Sequence, residues 1–138
     1  MRAYVDSSVV LRVVLRAPDP LREWNSIDRY VSSTLLSVEC ARTIERLRIV
    51  ENAPADKILE YRVLITAITN EADLIAIDAS VIDLAQGVFS APLKSLDAIH
   101  LASAIWWRNY KHVNLAFATH DDRLARAARA AGFEVLGA

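Results

Sequence analysis

Short apolar runs alternate along this chain with longer segments of helical periodicity, and that alternation admits few folds. The runs Arg2–Asp6, Tyr30–Ser33, Asp73–Ile77, Val113–Ala118 and Glu134–Leu136 each read as a strand. Between them lie predicted helices. Ser7–Leu15 is the first, with Ser7 or Ser8 as N-cap, although its valines also permit a strand. Pro18 and Pro20 break it, and Leu21–Arg29 resumes as a helix. A long helix opens at Thr34 or Ser37 and runs to about Val50, with Leu36, Cys40, Ile44 and Leu47 on one face. After a break at Asn52–Asp56, where Pro54 suits a first helical turn, another runs from about Ala55 to Thr69. Asp78 or Ser80 caps a helix ending near Gly87, Ser95–Tyr110 forms the strongest one, and Asp121–Ala131 is closed by Gly132. Strands alternating with helices predict an α/β sandwich with a central, mainly parallel sheet of four to five strands. The 138 residues fit a single domain, 1–138.

Composition narrows the function classes. Three glycines, Gly87, Gly132 and Gly137, supply no phosphate-cradling loop or dinucleotide fingerprint. One cysteine, Cys40, excludes an internal disulfide and a thiolate metal cluster and is compatible with a reduced, cytoplasmic setting. Met1–Leu15 is interrupted by Asp6 and Arg12 and has neither the shape of a signal peptide nor the length of a membrane span, so no membrane partner is expected. The net charge of −1 is not that of a basic nucleic-acid binder. A nucleic-acid substrate would have to be drawn by local arginines and bound cations. Hydrophobic residues make up 54% of the chain, enough for a core and for some apolar surface covered by a partner.

The acids carry the chemistry. In open α/β sheets ligands bind at the carboxyl ends of strands. Asp6 ends the first strand, and Asp121 follows the Val113–Ala118 strand by a few residues. A first strand is usually central, so both acids are expected to face one crevice. Glu39 and Asp97 interrupt otherwise apolar or small helical faces near helix starts, where the helix dipole also favours a carboxylate. Four carboxylates in one crevice repel and raise one another's pKa values. A divalent cation relieves this, and an all-oxygen set selects a hard ion, Mg2+ or Mn2+. Such an ion suits phosphoryl chemistry.

These residues resemble a known family. Tyr4–Val5–Asp6–Ser7–Ser8–Val9–Val10–Leu11 resembles the strand-then-acid opening of PIN domains, and Ser37–Val38–Glu39–Cys40–Ala41–Arg42 is similar to their glutamate helix. Leu96–Asp97–Ala98–Ile99–His100–Leu101–Ala102–Ser103–Ala104 resembles the third motif, and the stretch from Ala118 to Ala128 around His120–Asp121–Asp122 the fourth. At this length the chain resembles the VapC toxins of toxin–antitoxin pairs. The resemblance implies a PIN-like α/β/α sandwich and Mg2+- or Mn2+-dependent endoribonuclease activity on structured transfer or ribosomal RNA. It also implies a homodimer and a cognate VapB-like antitoxin. Asp6, Glu39, Asp97 and Asp121 occupy its metal positions, with Ser7 and Thr119 as hydroxyls beside them. Asp122 departs from the single acid common at the fourth motif, and Asp121 is preferred by its spacing from Thr119 and Leu124.

Other features have plainer readings. Glu39 can pair with Arg42 or Arg46, and Asp121 can simply cap its helix. His100 is expected to pack and bond locally and His120 to be exposed, although either could move protons near neutral pH. Arg123, Arg126 and Arg129 line a solvated helix face, while Arg12, Arg16 and Arg22 are better placed for RNA. Trp24, Trp106 and Trp107 are expected in packing rather than base stacking. The apolar Ile58–Ile68 stretch is expected to serve the core and, in part, a dimer or antitoxin surface. Two competing functions are a PIN-fold protein-binding module with weak or no catalysis and a phosphotransfer enzyme. The latter, or a receiver domain with an acidic Mg2+ pocket, lacks its marks: Ser8 stands where a haloacid-type phosphatase needs a second aspartate, and the lysine a receiver needs does not end the Val113–Thr119 run.

Overall fold

Alternation within the first strand, β1 (Arg2–Val5), decides how the molecule is layered. Successive strand residues point to opposite faces. Ala3 and Val5 join one buried cluster, and Tyr4 joins the other. The computed structural model describes residues 1–138 and continues with α1 (Ser7–Val14), β2 (Arg29–Ser33), α2 (Leu35–Ile49), α3 (Ala55–Glu71) and β3 (Asp73–Ile75). Then come α4 (Ala79–Ala85), α5 (Ser95–Lys111), β4 (Ala116–Ala118), α6 (Asp122–Ala130) and β5 (Val135–Leu136).

The five strands form one sheet in the order β3-β2-β1-β4-β5, and every neighbouring pair is parallel. Parallel sheets need both faces covered. Val9 and Val10 of α1, Leu36, Cys40 and Ile44 of α2, and Ile58 and Ile65 of α3 cover the face bearing Ala3, Val5, Ala116 and Ala118. Val81 of α4, Leu101, Ala102 and Ala104 of α5, and Leu124, Ala127 and Ala128 of α6 cover the face bearing Tyr4, Val31, Ile75 and Phe117. The expected α/β/α sandwich is therefore realised, and its sheet is wholly parallel.

The chain builds outward from β1 through β2 to β3, then returns to lay β4 against the other side of β1. The strand order reverses between β1 and β4, where a crevice opens at the carboxyl ends. The expectation that Asp6 and Asp121 share one crevice rests on this topology, and the structure supplies it.

Several local expectations are corrected. Leu21–Arg29 is not a helix: only a 3-10 turn at Trp24–Ser26 forms before β2 takes Arg29. Leu21 and Ile27 are both buried, and Trp24 stacks on Tyr30 at 4.6 Å, an anchoring that does not follow one helical face. The cap of α1 is Asp6, not Ser7 or Ser8, because the strand ends at Val5 and leaves Asp6 with extended backbone at the helix start. Its side chain accepts a hydrogen bond from the Val9 N–H. Of the two expected candidates, Asp78 and not Ser80 caps α4, accepting in the same way from the Val81 N–H. No helix is long and apolar enough to cross a membrane.

Phe117 is fully buried, stacked on Tyr4 at 5.1 Å and tilted against Phe133 at 5.7 Å. Phe117→Ala is expected to cost about 3–5 kcal/mol in chemical denaturation. Arg126→Ala, on the exposed face of α6, is expected to stay within about 0.5 kcal/mol of the parent. Similar losses for the two would contradict the layering described.

Candidate functional site

Asp6 is the most enclosed of the acids, only 4% exposed, at the point where β1 turns into α1. A buried carboxylate must be bonded or it gives up its charge. Oδ1 accepts from the Ser8 hydroxyl at 2.6 Å and the Val9 N–H at 3.2 Å, and Oδ2 accepts from the Thr119 hydroxyl at 2.6 Å. Both hydroxyls also accept: Ser8 Oγ from the His120 N–H and Thr119 Oγ1 from the Asp121 N–H, each at 3.0 Å. Two hydroxyl bridges thus tie Asp6 to the backbone that follows β4. The expected Thr119 is in place, whereas the serine bonded to Asp6 is Ser8; Ser7 makes no side-chain hydrogen bond. Burial raises the Asp6 pKa, opposed by the Ser8 and Thr119 bonds and by the nearby His100.

Asp121 caps α6, its Oδ1 accepting from the Leu124 N–H at 2.7 Å. The capping role and a place in the crevice coexist, since Oδ2 is left free. Asp97 stands in the first turn of α5, half-buried and without a hydrogen bond. Burial raises its pKa; the charge of Asp121, then of Asp6 and Glu39, pushes it further, against a lowering by His100. The fold therefore brings Asp6, Glu39 and Asp121 within electrostatic reach of Asp97. Asp122 is exposed in the first turn of α6, on the rim.

Lys94, Asp97, His120, Asp121, Asp122 and Arg123 line an open pocket of about 420 Å³. His120 is also a wall of a larger cavity of about 720 Å³ that includes Arg12, Arg22, Asn25 and Gly137. Its ring is fixed by a 2.9 Å hydrogen bond from Nδ1 to the Gly137 carbonyl. Gly137 has φ +89, and a Cβ there would stand 2.8 Å from the Thr119 carbonyl oxygen. Only glycine fits so close to the loop that carries the acids.

Glu39 takes neither Arg42 nor Arg46. Its Oε1 lies 2.5 Å from His100 Nε2. His100 was expected to bond locally, but it is buried and its partners are distant in sequence: Glu39 on one side and the Tyr4 hydroxyl, 2.6 Å from Nδ1, on the other. Strand alternation contained part of this, since Tyr4 and Asp6 lie two apart and face one side. Helical spacing contained another part, since His100 follows Asp97 by one turn. Cys40, next to Glu39, is buried and its thiol is pushed up to about 12 by burial first and then by Glu39 and Asp6. It supplies no thiolate.

No three His, Cys, Asp or Glu side chains are close enough to enclose an ion unaided. The donor chemistry nonetheless fits a hard cation. Asp97 has both oxygens free, Glu39 and Asp121 one each, and Asp6 Oδ2, with a single bond, retains a lone pair.

The PIN-domain profile matches residues 3–130, a span that contains every acid named above. The chain is similar to ribonuclease VapC46 of Mycobacterium tuberculosis, 33% identical over 137 residues, covering 96% of this chain and 95% of that protein. It is also similar to ribonuclease VapC47 from another strain of that organism, 31% identical over 137 residues, covering 94% of this chain and 92% of that one.

Asp97 holds its proton more tightly folded than unfolded. That contribution favours the folded state below the unfolded carboxylate pKa and is lost as pH rises through the raised folded value. Without divalent ions, the melting temperature of Asp97→Asn is expected to gain on the parent as pH climbs from about 4 to about 7. Melting curves that keep a constant separation over that range would contradict the crowding of Asp97 by the other acids.

Proposed function

Because the chain belongs to the PIN-domain family, we propose that it is an endoribonuclease, the toxin of a toxin–antitoxin pair, hydrolysing phosphodiester bonds of RNA at the carboxyl edge of its sheet. The observation that carries this reading is Asp97, a half-buried carboxylate with no hydrogen bond, crowded by three other acids. A protein-binding module has no use for that arrangement. Asp6, Glu39, Asp97 and Asp121 would hold Mg2+ or Mn2+, which supplies Lewis-acid activation of water and neutralises charge developing on the phosphate.

The chain's own residues do the remainder. Ser8 and Thr119 keep the Asp6 carboxylate from turning. Lys94 and Arg123 set positive charge on the rim of the acidic pocket, where a phosphodiester would arrive. Arg12 and Arg22 line the adjoining cavity, so an RNA strand passing His120 would meet cations on both sides of the cut. Asp122 and Ser7 lie close by in sequence as supporting polar groups. A structured transfer or ribosomal RNA is the proposed substrate, in a cytoplasmic setting that suits the lone reduced thiol of Cys40. We place a second copy and a VapB-like antitoxin as partners. Leu59 and Val63 of α3, 64% and 58% exposed, support this because apolar side chains grouped on one helix favour a cover. The proposed unit is the single domain 1–138.

RNA cleavage by the parent with Mg2+ or Mn2+ is expected to stop with a chelator. Asp6→Asn and Asp97→Asn are each expected to lose at least about 100-fold, more than an outer hydrogen-bond partner costs. Cleavage that survives chelation, or equal rates for all three proteins, would overturn the assignment.

A further inference from the structure

Glu39 is carried by a helix that covers the opposite face of the sheet: Leu36, Cys40 and Ile44 of α2 all pack with Ala3 and Val5. Its carboxylate reaches the crevice as the end of a long, flexible side chain, and Oε1 meets one group only, His100 Nε2 at 2.5 Å. An ionised carboxylate only accepts hydrogen bonds, so Nε2 must carry the hydrogen. The other ring nitrogen, Nδ1, lies 2.6 Å from the Tyr4 hydroxyl.

The Tyr4 hydroxyl is held in its protonated form. It is buried in the sheet face, and burial raises its pKa strongly. The two serines beside it give their protons elsewhere, Ser32 to the Val5 carbonyl and Ser103 to the Ile99 carbonyl, each at 2.7 Å. Donation from the Tyr4 hydroxyl to Nδ1 is the arrangement that matches an Nε2–H given to Glu39, and a bare Nδ1 together with a protonated Nε2 defines one neutral tautomer. The rings meet edge to face, with centroids 5.8 Å apart and planes at 76°. The imidazole is fully enclosed and cannot turn over without breaking both bonds.

We propose that His100 is a positioning residue, locked by Tyr4 as the Nε2–H tautomer, which holds Glu39 Oε1 so that Oε2 is presented to the divalent ion. This rests on the reading of Glu39 as a metal ligand given above. The order of events is structural: β1 fixes Tyr4, Tyr4 fixes the imidazole, and the imidazole fixes a carboxylate that its own helix does not. Outer partners of this kind are worth about 10–100-fold in metal affinity or activity.

The test uses the whole chain. Nitrogen-15 NMR of the parent without divalent ion is expected to show His100 as the Nε2–H tautomer; the Nδ1–H tautomer would overturn the proposal. Calorimetric titration with Mn2+ in the absence of RNA is expected to show His100→Phe about 10–100-fold weaker than the parent, with His100→Gln restoring much of the loss by returning an amide donor. In RNA cleavage, His100→Phe is expected to lower kcat with little change in KM. It is expected to add nothing in a Glu39→Gln background, since it acts through that carboxylate. If His100→Phe does not stay folded in a thermal melt, Tyr4→Phe carries the test, with an expected loss of about tenfold in Mn2+ affinity.

Parent-like Mn2+ affinity in a folded His100→Phe, or in Tyr4→Phe where that variant carries the test, would overturn the proposal. So would an equal His100→Phe loss with and without Glu39. Should Glu39→Gln alone leave Mn2+ uptake and cleavage unchanged, the metal role of Glu39 fails and the positioning role with it. Should Glu39→Gln be damaging while His100→Phe is harmless, only the positioning role fails.

Discussion

The structure turns on a buried carboxylate that cannot be left unsatisfied. Asp6 sits where the central strand becomes a helix, and it accepts from two hydroxyls and a backbone N–H. Each hydroxyl in turn accepts from the backbone after β4. One side chain therefore caps α1, joins β1 to the loop beyond β4 and fixes the start of α6. The loss of a partner would leave an enclosed carboxylate with fewer donors, which costs more than a missing contact between neutral groups. The same bonds that complete the fold set the orientation of the candidate site.

Around that fixed acid the others are arranged with different freedoms. Asp121 is pinned through Oδ1 by its capping bond, Glu39 is steered by an imidazole, and Asp97 is bonded to nothing. Rigid donors on strand and helix ends, with one unpaired carboxylate among them, place repulsion where a cation can remove it. This explains how a chain of net charge −1 could act on a polyanion. The attraction is local: positive rims at Lys94 and Arg123, and at Arg12 and Arg22, border an acidic floor.

Much of this was legible in the sequence, for identifiable reasons. Strands buried on both faces announce themselves as short apolar runs, and the four acids stand out because charge is costly at such positions. The helix expected over Leu21–Arg29 failed because Leu21 and Ile27 are drawn into the core from an irregular segment, and no local pattern encodes that. Reading the strand through Asp6 pushes the helix cap onto Ser7 or Ser8. Ending at Val5 makes Asp6 the cap and brings the second serine to its oxygen. The Tyr4–His100–Glu39 chain was hidden because its members are separated by 96 and 61 residues and only the parallel topology joins them.

The two faces of the sheet are filled unequally. One presents Ala3, Ala116 and Ala118 to α1 and its neighbours, while the other presents Tyr4 and Phe117. Alanines in the middle of a sheet let a helix ride low, and α1 is capped by the very residue that anchors the acids. Mutational tolerance should therefore be lopsided. Added bulk beneath α1 would lift the helix and with it the cap, so that changes chemically remote from any phosphate would register as lost turnover. A survey of functional variants would find these methyl groups guarded as closely as the charged side chains above them.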